Sequence, residues 1–137
     1  MKKLSLIIIL MSLLMVILSG CNKTDFPFIQ PTRDIVKIEL VIYNYPSDEI
    51  TVIKELSNDE FTSFIRDFKN MDCFLCLGDP ETMWTSEGIK ITYKNGDYQI
   101  INANSEARYY SEEDKLKREG LYFFNDEEFE ALKDKYF

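Results

Sequence analysis

Apolar and polar positions alternate from Ile35 to Tyr43. Val36, Ile38, Leu40 and Ile42 fall on one side and Lys37 and Glu39 on the other, the period-two pattern of a half-buried strand. Asn44-Tyr45-Pro46-Ser47-Asp48 ends the run with turn formers. Ile50, Val52 and Leu56 then share a face of a second run, so the two are predicted to form a hairpin. The period changes after that. Phe61, Phe64, Ile65 and Phe68 recur at i, i+3, i+4 and i+7, which is the apolar stripe of an amphipathic helix. Ser57 and Glu60 are spaced as a capping box, and Leu56 is placed to staple onto Phe61. The same grammar returns near the C-terminus, where Asn125 caps, Glu128 closes the box, Phe124 staples onto Phe129, and Leu132 and Tyr136 continue the face. Shared capping chemistry accounts for the likeness of the two starts, and no internal repeat is inferred from it.

Between the helices, Tyr93-Lys94-Asn95-Gly96-Asp97-Tyr98 predicts a tight hairpin, because Asn-Gly supplies the two positive φ angles of a type I′ turn. A two-residue loop there pairs Lys94 with Asp97, Tyr93 with Tyr98 and Ile91 with Ile100. Met71 to Leu77 and Leu121 to Phe124 read as shorter strands. The stretch from Ala103 to Gly120 carries Arg108, Tyr109 and Tyr110 and then the charged run Glu112 to Glu119, a run that reads as a solvated loop or short exposed helix. The fold class expected is α+β: an antiparallel sheet of about five to six strands with two helices packed on one face, in the order ββα-βββ(β)-α.

The N-terminal pattern is of another kind. Met1-Lys2-Lys3 precedes an apolar run from Leu4 to Leu18, shorter than the roughly 20 residues of a comfortable membrane span, and small residues follow. Leu18-Ser19-Gly20-Cys21 resembles the lipobox of bacterial lipoproteins. The resemblance implies that residues 1–20 are a cleaved signal peptide and that Cys21 carries a diacylglycerol. An uncleaved anchor, or a plain signal peptide with a chance cysteine, is the competing reading. Two or three acyl chains anchor stably where one holds only marginally, so the expected location is the extracytoplasmic face of the cell membrane. Residues 21–32, with Pro27 and Pro31, read as the lipidated cysteine and a tether, with Phe26, Phe28 and Ile29 either touching the lipid interface or packing back on the domain. Residues 33–137 read as a single α+β domain. The pattern Ile91-Thr92-Tyr93-Lys94-Asn95-Gly96-Asp97, with Phe123 to Phe129 near the end, is similar to small Gram-positive lipoproteins of low-GC bacteria that carry no assigned activity. That likeness implies a domain facing the cell wall.

Composition narrows the function. With 45% hydrophobic and 14% aromatic residues, the chain is no disordered stalk. Its net charge is −8, and removal of Lys2 and Lys3 with the signal makes it two units more negative. An acidic body lacks the basic face that nucleic acid needs and is repelled by anionic headgroups. There is no histidine, so imidazole triads, imidazole metal sites and imidazole proton shuttles are excluded. No Gly-rich phosphate loop or calcium-loop spacing is present. No metal, cofactor or catalytic residue set is expected, although paired carboxylates at glycosidase spacing are a geometry that sequence does not reveal.

Two places carry candidate chemistry. Cys73-Phe74-Leu75-Cys76 is a C-x-x-C motif in strand-like surroundings, where cysteines three apart point to opposite faces. Free thiols, a structural disulfide between Cys73 and Cys76, and redox work are the readings weighed. The second place is the loop Gly78 to Gly88, with Met83 and the only Trp, Trp84. Trp84 either folds back as a lid on the core or serves with Met83, Tyr109 and Tyr110 as contact area for a partner, Arg108 pairing an acid. The function expected is a non-enzymatic, membrane-tethered module that binds an envelope protein or cell-wall component through the open face of the sheet or the Trp84 loop. The alternatives are a small-molecule sensor or carrier, and an enzyme using carboxylates or the cysteine pair.

Overall fold

A computed structural model describes residues 22–44, 47, 49–75, 86–102, 106–110 and 116–137. In chain order its elements are β1 (Asn22–Thr24), β2 (Ile35–Asn44), β3 (Glu49–Glu55), α1 (Phe61–Asn70), β4 (Cys73–Leu75), β5 (Ser86–Tyr93), β6 (Tyr98–Asn102), β7 (Glu106–Tyr110), β8 (Leu116–Phe124) and α2 (Asp126–Tyr136). The class is α+β, and every strand pairing is antiparallel. The sheet is larger than expected: eight strands in the order β1-β4-β8-β7-β6-β5-β2-β3. It divides at β8, whose Leu116 to Leu121 pairs with β7 while Tyr122 to Phe124 pairs with β4. The added strands are β7, which holds Arg108 to Tyr110, and β1, which comes from the expected tether, while the end of the charged run expected as a loop or exposed helix extends β8 back to Leu116.

The β2–β3 hairpin forms as its alternation requires. β2 is flanked by β5 on its other side, so both of its edges are paired, and side chains on both of its faces are buried, Ile38 in the main core and Tyr43 in a second cluster. Ile38, Val41 and Tyr43 are all fully buried although they do not share one face, while Val36 is exposed beside a register shift between Ile35 and Lys37. Tyr43, Tyr98 and Ile100 form a small second cluster with Ile50 against it. The face expected to stand open is therefore not an exposed apolar patch.

The hairpin between β5 and β6 is the sharpest departure. The Tyr93 N–H donates to the Asp97 carbonyl at 2.9 Å, the Gly96 N–H donates to the Tyr93 carbonyl at 2.9 Å, and Gly96 has φ 85°. This is a three-residue loop, a type I turn closed by a glycine in the left-handed region, rather than a two-residue type I′ turn. The register moves by one: Ile91 faces Gln99, and Ile100 faces Lys90. Because side chains alternate, a one-residue slip exchanges the faces of the whole strand. Gln99 is thereby turned toward the helices. In the same ladder Gly88 lies across from Asn102, where a Cβ would stand 2.3 Å from the Asn102 Oδ1 and would displace that amide.

Both helices pack on the face that carries Ile89, Ile91 and Tyr93. Phe64 and Phe68 of α1 and Phe129, Leu132 and Tyr136 of α2 join those residues, Ile38, Leu56 and Ile101 in one core. The start of α2 follows its sequence: Asn125 Oδ1 accepts from the Glu127 and Glu128 N–H groups at 2.9 and 3.2 Å, and Phe124 and Phe129 meet with ring centroids 5.9 Å apart. Glu128 does not close the box. Its carboxylate accepts instead from the Asp72 N–H at 3.1 Å, tying α2 to the start of β4. At α1 the Ser57 hydroxyl donates to the Glu60 carboxylate itself, and a single 3₁₀ turn over residues 58–60 precedes the helix.

Candidate functional site

Of the two readings of the tether's Phe26, Phe28 and Ile29, packing back on the domain is the one observed, and the segment lies along the domain as a strap. Asn22 to Thr24 pairs with Cys73 to Leu75, Phe26 is buried, and Lys23 bridges to Asp72. The reason is apolar content that a tether does not need. Phe26 meets Phe28, Phe68 and Tyr122 edge-on at centroid distances of 5.3, 5.2 and 5.6 Å, in the geometry favoured by aromatic quadrupoles.

Backbone groups of the strap are satisfied by one side chain, Gln99, which is only 3% exposed. Its Nε2 donates to the Pro27 carbonyl at 3.2 Å, and its Oε1 accepts from the Ile29 N–H at 3.3 Å and from the Tyr93 hydroxyl. A buried amide is tolerated because its donors and acceptors find partners. The sequence signal was a lone polar residue inside the run Tyr98-Gln99-Ile100-Ile101, and the misassigned register hid it.

Where the strap crosses the end of α1 it encloses a cavity of about 330 Å³, lined by Asp25, Phe26, Phe28, Phe68, Lys69, Met71 and Cys73. A shallower recess of about 540 Å³ adjoins it and shares Asp25, Lys69 and Met71, with Lys23, Asn70 and Asp72 among its other walls. The two make an aromatic hole with a polar mouth. The Lys69 ammonium stands 5.6 Å from the centroid of the Phe28 ring at that mouth. Cys73 is a free, buried thiol in the wall, and burial, aided by the nearby Asp25 carboxylate, pushes its pKa up to about 11. Such a thiol is protonated at neutral pH and is a poor nucleophile.

The opposite margin of the sheet is built differently. β3 is an edge strand with every residue but Ile50 exposed, Val52 and Ile53 near half of their full accessibility. A bulge interrupts its ladder at Ile53, which is left without a partner between the pairs Leu40–Lys54 and Val41–Val52. Lys54 turns away to donate to the Phe137 carbonyl at 2.6 Å.

Polar ties hold α2 in place. Lys133, nearly buried, bridges Glu87 of β5 and Glu130 at 2.9 Å each. Burial lowers the pKa of its ammonium, but the bonds to the two carboxylates outweigh that and leave it above the ordinary lysine value. Asp67 of α1 accepts from Lys135 and from the Tyr136 hydroxyl, both at 2.6 Å, and these bonds with that from Arg66 hold its pKa below the ordinary range.

The residues singled out in the sequence do not converge on one place. Cys21, Cys76, Met83 and Trp84 lie outside the described residues. Arg108, Tyr109 and Tyr110 belong to β7, an interior strand, with Arg108 across from Ile100 and Glu119 and Tyr109 across from Gln99 and Arg118. Among the described residues no three histidine, cysteine or carboxylate side chains are grouped as metal ligands, and no helix is long and apolar enough to cross a membrane. Compared with protein-family models, with curated proteins and with solved structures, the chain matches none of them.

Proposed function

We propose that the protein is a non-enzymatic binding module, tethered by lipid on Cys21 to the extracytoplasmic face of the membrane, that captures an envelope protein by adding a strand to β3. The supporting observation is the placement of the two sheet margins: β1, which directly follows Cys21, is one end of the strand order and β3 is the other. The anchor and the open edge therefore belong to different margins of the strand order. An edge strand offers a row of main-chain donors and acceptors, and strand addition uses them for affinity and the side chains for selectivity. Val52 and Ile53 supply apolar contact on β3, with Glu49 and Glu55 at its ends. The protonated, buried Cys73 gives little support to thiol catalysis.

Cross-linking of the full chain in its native membrane, followed by mass spectrometry, tests this reading beside the Val52→Asp/Ile53→Lys double variant. Both positions are exposed, so the fold is expected to persist. A discrete partner that falls at least tenfold in the double variant supports strand capture. A partner retained by that variant overturns it. Release of the Cys21→Ala variant from the membrane is the expected companion result for the anchor.

A further inference from the structure

We propose that the cavity between the strap and α1 binds a zwitterionic single-chain amphiphile drawn from the bilayer, a lysophospholipid in chemical class. The chain would enter between Phe26, Phe28 and Phe68, and the head would rest between Asp25 and Lys69. Three observations carry this. The cavity's volume of about 330 Å³ lies within the range of small-ligand sites, and aromatic and thioether side chains dominate its wall. The polar mouth is electrically balanced, with Lys23 and Lys69 set against Asp25 and Asp72. Lys23 and Asp72 already pair with each other. Among the described residues neither the Lys69 ammonium nor the Asp25 carboxylate joins an ion pair or a side-chain hydrogen bond, and the Lys69 ammonium stands over the Phe28 ring. One unpaired cation and one unpaired carboxylate at the lip of an apolar hole match a head that carries both signs. A purely anionic head would meet Asp25 and a body of net charge −8.

The third observation is position. Asn22 lies across from Leu75, and Asp25, three residues on, already lines the cavity, so the mouth is close to the point where the chain would leave the membrane. The bilayer as source rests on the anchored reading above, whereas the cavity and its lining do not.

Photolabelling with a diazirine-bearing lysophosphatidylcholine, in phosphatidylcholine vesicles that carry the full chain, tests the assignment. Label is expected on peptides containing Phe26, Phe28 or Met71, displaced by unlabelled lysophosphatidylcholine. Asp25→Asn and Lys69→Gln change exposed positions and should each weaken labelling about fivefold without shifting the thermal melt. Label confined to residues 1–21, or labelling unchanged in both variants, overturns the site. Flotation of the same vesicles separates the two readings. A chain that floats but is not labelled at the cavity overturns the cavity and leaves the anchor standing. A chain that does not float but is labelled at Phe26 and Phe28 supports the cavity and overturns the anchor.

Discussion

The two margins of the sheet face the same physical problem, a row of unpaired backbone groups, and they meet it in opposite ways. At the β1 margin a three-residue strand is backed by the strap, whose Phe26 enters the core and whose backbone is held by Gln99. At the β3 margin a seven-residue strand stands exposed, with Val52 and Ile53 in contact with water. Strand length does not decide which margin is tied to the core. That tie comes from residues outside the strand, since β1 is far too short to hold itself and the strap after it buries an aromatic ring. The β1 margin thereby contributes to stability, whereas β3 stays exposed.

Truncation separates them most sharply. Phe26→Ala is expected to cost about 3 kcal/mol, as a buried aromatic lost with its cavity. Val52→Ala at the open margin should stay within about 0.5 kcal/mol. Urea denaturation of both variants reads the contrast, and equal costs would mean that the strap is not part of the folded core. Gln99→Leu probes the same margin with a smaller effect, about 2 kcal/mol, because the Pro27 carbonyl, Ile29 N–H and Tyr93 hydroxyl lose their shared partner. Hydrogen exchange at Ile29 should accelerate in that variant while exchange across the β2–β3 ladder stays unchanged. An unchanged Ile29 would show that the amide does not hold the strap.

The smallest effect on stability is at Cys73. With its pKa raised from 9.0 to about 11, the thiol is protonated in both folded and unfolded chains at pH 7, so it makes stability depend on pH only in alkali. As pH rises through 9 toward 11 the unfolded thiol ionises first, and stability falls. At pH 8 the folded thiol should react roughly a hundredfold more slowly with an alkylating reagent than the unfolded one. Phe26→Ala should recover much of that rate if the strap shields the thiol. Equal labelling rates of Cys73 in the folded and unfolded chains would contradict a thiol held above its ordinary pKa.

Local chemistry was legible wherever the sequence carried its own explanation. Asn125 announces α2 because its side chain meets amides two and three residues along, and Phe64 and Phe68 announce the buried stripe of α1. The β5–β6 turn was misread because Asn-Gly suits a two-residue loop and a three-residue loop alike, and only the paired strands choose between them. β7 and β8 were hidden by charge. Their residues look solvated one at a time, and only the ladder between them, with Arg108 across from Glu119, makes them strands. The strap was hidden by its prolines, although Phe26, Phe28 and Ile29 marked it as more than a spacer. The cavity was not legible at all, since its walls come from the strap, the last turn of α1 and β4, and their meeting depends on the register of β6.

The strap's attachments also set an order of assembly. Pro27 and Ile29 reach Gln99 across separations of 72 and 70 residues, and Phe26 needs Tyr122 and Phe124, so the first structured segment of the chain has partners made much later. Closing loops of that length costs entropy that the strap's few contacts do not offset until β6 and β8 are already in place. The strap is therefore the last part to dock. During synthesis residues 22–30 stay extended and accessible while the sheet forms behind them, and this end of the domain is sealed only when β8 is complete.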